Sequence, residues 1–164
     1  MRKVRESEEF RRGRVAEQLV AGWLKRRDCF IIPSYDYAGE NGDKPPRLQG
    51  LWHGYPVPDL DVCKKGDRFW VEVKSKKSAV EWQKTGELRH GVELRLLEHY
   101  RLVTTISGSP CWLFIYEENT SWLLSQALHV LGRPVSTGND RRGKTIAFWN
   151  RTQFIELERI TAGE

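Results

Sequence analysis

Two carboxylates and an ammonium stand out within residues 58–77, PDLDVCKKGDRFWVEVKSKK: Asp59, Glu72 and Lys74. Side chains alternate across an extended strand, so Trp70, Glu72 and Lys74 share one face, and Phe69, Val71 and Val73 the other. The apolar set is expected to face the core. That leaves a carboxylate and an ammonium side by side, one strand period apart. Two carboxylates with a main-chain carbonyl make a hard oxygen site of the kind Mg²⁺ accepts while keeping several waters. An adjacent lysine can orient or deprotonate an attacking water, or stabilise charge building on phosphorus. Phosphate-ester hydrolysis is among the slowest uncatalysed reactions, and metal activation with charge stabilisation is what it most needs. The bland alternative is a surface hairpin with one cross-strand ion pair, worth about 0.5 kcal/mol.

To bring these groups together, residues 59–63 and 69–75 must pair as two strands joined by a tight turn at Lys64-Lys65-Gly66-Asp67. Upstream, Ala16, Leu19, Val20, Trp23 and Leu24 mark one face of an amphipathic helix over about 7–27. Residues 29–32 read as a short strand closed by Pro33. Residues 38–56 have no usable period and read as a long loop, with Lys44, Arg47, Trp52, His53 and Tyr55 offering cations and flat rings suited to nucleic acid. A second helix is expected over about 91–106, where Val92, Leu96, Tyr100 and Val103 form a stripe. The run CWLFIY, 111–116, reads as a strand buried on both faces. Beyond it the pattern predicts a short helix near 121–131, a polar turn through Gly143, a strand over 145–149 and a terminal helix over 152–159. This order describes a single α/β domain over residues 1–164, a sandwich around a mixed central sheet.

Composition sets the outer bounds. The 164 residues are 39% hydrophobic and 30% charged, the balance of an ordered globular domain. The opening MRKVRESEEFRR is charged where a signal peptide needs an apolar stretch, and no run approaches a membrane span, so the expected location is cytoplasmic. Cys29, Cys63 and Cys111 are scattered and odd in number, which favours buried reduced thiols over a disulfide framework or metal cluster. The net charge of +5 gathers in clusters that include Lys74, Lys76 and Lys77, and Arg141, Arg142 and Lys144. Clusters converging on one face would make a phosphate-binding surface, which spacing alone does not reveal. No local pattern supports a nucleophilic triad, and there is no Gly-rich phosphate loop.

Pro58-Asp59 followed by Glu72-Val73-Lys74 resembles the PD-(D/E)xK nuclease superfamily, and is most similar to archaeal-type Holliday-junction resolvases and restriction-endonuclease-like proteins. Gly13-Arg14-Val15-Ala16-Glu17 matches the first helix of those resolvases, which carries a Glu after a small-residue start. The resemblance spans about residues 11–77 and implies a restriction-endonuclease-like αβββαβ core flanked by helices. It implies Mg²⁺, with Mn²⁺ as a substitute, held by Asp59, Glu72 and the Val73 carbonyl, with Glu17 acting directly or through water. Lys74 would be the catalytic lysine. Duplex or branched DNA would be the substrate, in repair, recombination or restriction, and a homodimer is left open because two strands need two sites. The long segment 38–56 departs from the compact resolvases and bears on the junction substrate. A nucleic-acid-binding module on the same fold without turnover is the alternative, as is a protein-interaction domain.

Several residues carry two readings. Asp61 points to the same strand face as Asp59 and competes with it as a ligand; the preceding Pro and the spacing to Glu72 favour Asp59. Glu17 is either a solvated helix residue or a fourth member of the site. Ser75, Lys76, Lys77, Arg14, Arg47 and His90 are candidate DNA contacts. Arg89 could join His90 on a phosphate, though a satisfied histidine is the plainer reading. Trp149, Asn150 and Arg151 read as a core aromatic and a turn.

Overall fold

A computed structural model describes residues 8–33 and 46–161. The amphipathic stripe forms helix α1 (Glu8–Lys25), whose Ala16, Val20 and Leu24 are buried. Strand β1 (Phe30–Pro33) follows and pairs antiparallel with β4 (Leu60–Lys64), which pairs antiparallel with β5 (Asp67–Lys76). Lys65 and Gly66 take φ of 50° and 92° in the turn between them. Positive φ at both central residues matches the twist of a two-residue hairpin, and Gly adopts it without a Cβ penalty.

After β5 the chain forms β6 (Val80–Glu81), β7 (Leu88–Glu93) and helix α2 (Leu94–Ser107), then returns as β8 (Cys111–Glu117) parallel to β5. A parallel return needs such a crossover, because a hairpin cannot reverse twice in a few residues. Strand β9 (Trp122–Ala127), the short helix α3 (Leu128–Leu131), β10 (Ser136–Asn139), β11 (Thr145–Asn150), a 3₁₀ turn (Arg151–Gln153) and β12 (Ile155–Arg159) complete the chain. The main sheet is mixed and six-stranded, in the order β1-β4-β5-β8-β9-β12; a second sheet runs β10-β11-β7-β6. Helix α1, strands β1, β4 and β5, helix α2 and strand β8 are the expected αβββαβ core, in chain order.

Two hydrophobic layers cover the main sheet. Val62, Val71, Val73, Phe114 and Tyr116 pack beneath α1. On the other side Trp70, Leu113 and Ile115 pack with Leu97, Tyr100 and Val103 of α2, and with Ala147 and Trp149 of β11. The expected division of β5 into one core face and one polar face is therefore corrected. Both faces are covered, Trp70 is core, and Glu72 is 1% exposed.

Four further expectations change. Within the segment expected to be a loop, β2 (Arg47–Gln49) and β3 (Gly54–Pro56) pair, and Leu48 and Tyr55 pack against the α2 core; residues 38–45 with Lys44 lie outside the described residues. The second helix begins at Leu94, because Gly91–Glu93 pair with β11 as part of β7. Residues 122–127 are a strand rather than a helix: pairing with β8 buries Leu123, Leu124 and Ala127, and that burial overrides the helix preference of Leu, Gln and Ala. Residues 155–159 are likewise a strand, a largely exposed edge strand held by pairing with β9, with a bulge at Glu156–Glu158. Helix α2 packs on the sheet through its buried stripe and leaves Leu102 and Ile106 exposed. Of the thiols, Cys29 and Cys111 are buried and Cys63 is exposed. No described helix is long and apolar enough to cross a membrane.

Candidate active site

The ladder between β4 and β5 stops at the pair Leu60↔Val71. Asp59, one residue before β4, therefore falls opposite Glu72 and is no longer tied by strand pairing. Its Oδ2 instead accepts the Val73 N–H at 2.8 Å. A residue in an extended strand sends its N–H and C=O to the same side, so the Val73 carbonyl also belongs to the Asp59 side of β5. Asp59 is 9% exposed and Glu72 1%. Burial, reinforced by the charges of Glu72 and Glu17, holds the Asp59 carboxyl well above the usual carboxylate range; Lys74 and the Val73 N–H oppose this without cancelling it.

Glu72 Oε1 accepts from Lys74 Nζ, whereas Glu72 Oε2 is buried and has no hydrogen-bond partner among the described residues. A buried orphan carboxylate oxygen is costly unless a cation meets it. Two buried carboxylates that repel each other, one with a spare oxygen, together with a nearby main-chain carbonyl, fit a hard divalent cation. Among the described residues no three His, Cys, Asp or Glu side chains gather closely enough to hold a metal by themselves, so the carbonyl and water would complete the shell. Glu17 is half-buried on α1, and its negative charge adds to the rise at Asp59. Cys111 lies behind the pair: burial and then the charges of Glu72 and Asp59 push its thiol well up, which keeps it protonated and unreactive.

Asp61 goes elsewhere. It faces Trp70 across the hairpin and accepts from Arg68 Nε and Nη2 at 2.9 and 2.7 Å. His90, expected on or before the second helix, sits in β7, 1% exposed, 2.8 Å from Glu117. Arg151 holds the same carboxylate through Nε and Nη2, at 2.8 and 3.0 Å. That placement puts His90 inside the molecule. Arg89 is likewise buried, donating to Asn150, Ser136 and Glu87. Ser75 points to the α1 side of the sheet, where its hydroxyl donates to Glu118, which also holds Arg12. Arg14 is half-buried on α1, Lys77 is exposed just past β5, and Arg47 donates to the Gly54 carbonyl at the β2–β3 hairpin.

Lys76 lines the same cleft as Lys74. It follows Lys74 on the same face of β5, half-buried, and burial together with the like charges of Lys74 and Arg12 pushes its ammonium pKa down. Both lysines line a cleft of about 560 Å³ that Arg141, Arg142 and Lys144 of the β10–β11 hairpin also line, together with the carboxylates Glu9, Glu93 and Asp140. Spacing revealed two basic clusters far apart in the chain; the pairing of β11 with β7 is what brings them together. The sequence signal for that wall was the Asp140–Gly143 turn, which shows a hairpin but not what it faces.

No protein-family model matches the chain, and no curated protein sequence matches it. Among solved structures it is similar to the Holliday junction resolvase Hjc of Archaeoglobus fulgidus, with a TM-score of 0.55 at 15% identity over 89% of this chain and 95% of that one. It is also similar to D212, a nuclease from a fusselovirus, with a TM-score of 0.50 at 12% identity over 92% and 88% of the two chains. The chain therefore has the nuclease-like fold of these proteins, a mixed sheet flanked by helices.

Proposed function

We propose that residues 1–164 form one PD-(D/E)xK nuclease-like domain that hydrolyses phosphodiester bonds of DNA with Mg²⁺, or Mn²⁺ in its place. The setting would be cytoplasmic, in repair, recombination or restriction. The observation that carries this reading is the buried pair Asp59 and Glu72, the latter with an unpartnered oxygen, beside Lys74 at the wall of an open basic cleft. Asp59, Glu72 and the Val73 carbonyl would hold the cation, with Glu17 acting through water. When bound, the metal would supply Lewis acidity and a more acidic water.

The chain's own groups do the rest. The Val73 N–H fixes one oxygen of Asp59, so the carboxylate keeps its orientation as substrate arrives. Lys74 neutralises Glu72 and presents further N–H donors to a phosphoryl oxygen on which charge accumulates. A site walled on one side by the apolar layer of α2 and β11 strengthens those interactions relative to water. Purified protein is expected to cleave at least one member of a panel of single-stranded, duplex, nicked and branched DNAs, with Mg²⁺ or Mn²⁺ and not with EDTA. Glu72→Ala and Lys74→Ala should abolish cleavage; full activity in either folded variant would sink the assignment.

A further inference from the structure

The basic wall of the cleft has a definite construction. Asp140 accepts the Arg142 N–H at 2.9 Å and the Lys144 N–H at 2.8 Å, and its own N–H donates to the Lys144 carbonyl at 2.9 Å. Its carboxylate is thereby turned onto the backbone and shapes the tip of the hairpin. Lys144 pairs with Glu93 at 2.7 Å, and Arg142 reaches Glu9 at 3.5 Å between two side chains that are mostly exposed. Arg141 and Lys76, both lining the cleft, have no carboxylate partner among the described residues. Lys76 is half-buried next to two like charges, a placement that an anion in the cleft would relieve.

Resting on the nuclease reading above, we propose that the β10–β11 hairpin and Lys76 form a second phosphate subsite. It would grip the phosphodiester that flanks the scissile one on the same nucleic-acid strand. Arg141 and Lys76 are the first contacts, and Arg142 is released from its weak pair with Glu9 as the strand enters. The ligand is a strand phosphate and not a base: among the described residues the cleft offers ammonium and guanidinium donors and no aromatic side chain, and its carboxylates Glu9, Glu93 and Asp140 are engaged by Arg142, Lys144 and the hairpin backbone. The subsite fixes register, so that one phosphate cannot reach Lys74 without its neighbour being held.

The test is DNA binding by fluorescence anisotropy in EDTA, where no cleavage occurs, across a salt series. Arg141→Ala/Arg142→Ala should weaken binding roughly tenfold and lower the slope of log K against log salt by about two, with Asp140 left to shape the turn. Lys76→Met should lower it by about one. Lys25→Ala/Arg26→Ala, at the far end of α1 and roughly 24 Å from Glu9 by helical rise, should leave both quantities unchanged. A single methylphosphonate next to the scissile position should reproduce the Arg141/Arg142 loss in wild type and add nothing in the variant. Unchanged affinity and slope in the hairpin variants, with wild type binding and cleaving normally, would overturn this subsite and leave the nuclease reading standing. Absence of DNA binding by wild type would overturn both.

Discussion

The main-chain N–H of Val73 donates to the Asp59 carboxylate at 2.8 Å, where the β4–β5 ladder would otherwise place a backbone partner. A side chain therefore finishes the ladder, and the residue that finishes it sits against Glu72. Asparagine at position 59 keeps an acceptor for that N–H and removes the charge. Because the folded-state pKa of Asp59 is raised, its contribution to stability is present below the unfolded carboxylate pKa and is lost as pH rises through the folded value. At neutral pH the metal-free protein carries that penalty. Asp59→Asn should raise metal-free stability by about 1–3 kcal/mol, seen as a higher Tm in EDTA. Mg²⁺ should raise the Tm of wild type and not of the variant, and cleavage should vanish. A variant that melts lower in EDTA, or still responds to Mg²⁺, would contradict this account.

Lys74 has two jobs that can be separated. It neutralises Glu72, whose carboxylate is buried, and it faces the cleft. Lys74→Met should cost about 2–4 kcal/mol, because removing one partner leaves a buried charge unpaired. Glu72→Gln/Lys74→Met should recover most of that loss in a denaturant melt and recover no cleavage. Recovery of activity with stability would overturn the catalytic roles of both Lys74 and Glu72.

Acid sensitivity follows from the His90–Glu117–Arg151 cluster. Burial lowers the His90 pKa below the ordinary imidazole value of about 6.5, against the pull of Glu117. The unfolded chain then binds the proton more readily, so stability is full above pH ~6.5 and falls as pH drops toward the folded value. For Glu117, burial alone would raise the pKa, but hydrogen bonds from Arg151, His90 and Thr120 outweigh it and lower it. Its contribution is therefore lost at still lower pH, in the same direction. Denaturant midpoints should decline between pH 7 and 5, and His90→Gln should flatten that decline while leaving DNA affinity at pH 7.5 unchanged. A steep decline that survives the substitution would place the sensitivity elsewhere.

That Asp59, Glu72 and Lys74 come together was legible because strand alternation and one tight turn are local rules, and Lys65-Gly66 obeys them. Burial of Glu72 was not legible. Its neighbours Trp70 and Lys74 read as a half-polar face, and only the α2 and β11 layer, contributed by residues far along the chain, covers it. Residues 122–127 and 155–159 misled for a related reason: Leu, Gln, Ala and Glu favour helix locally, and only pairing with β8 and β9 decides for strand. The second basic wall escaped because it depends on the register of β11 against β7, which no spacing of arginines encodes.

That register has a tight point at Gly91, which pairs with Phe148 and also lines the cleft. A Cβ at Gly91 would lie 2.6 Å from Ile146 Cγ2 and 2.6 Å from Phe148 Cε1, closer than packed atoms tolerate. Gly91→Ala must therefore push β11 away from β7 or force its side chains off their rotamers, at about 1–3 kcal/mol. For a chain of this length that corresponds to a Tm loss of roughly 2–4 °C per kcal/mol. Because β11 carries the hairpin, the displacement moves Arg141, Arg142 and Lys144 relative to Lys74 and Lys76. DNA affinity in EDTA should fall severalfold although no charge has been removed, and thermal unfolding should shift with it. If Gly91→Ala melted lower yet bound DNA as wild type does, the cleft would not depend on the β7–β11 register, and the hairpin would be a tether and not a wall.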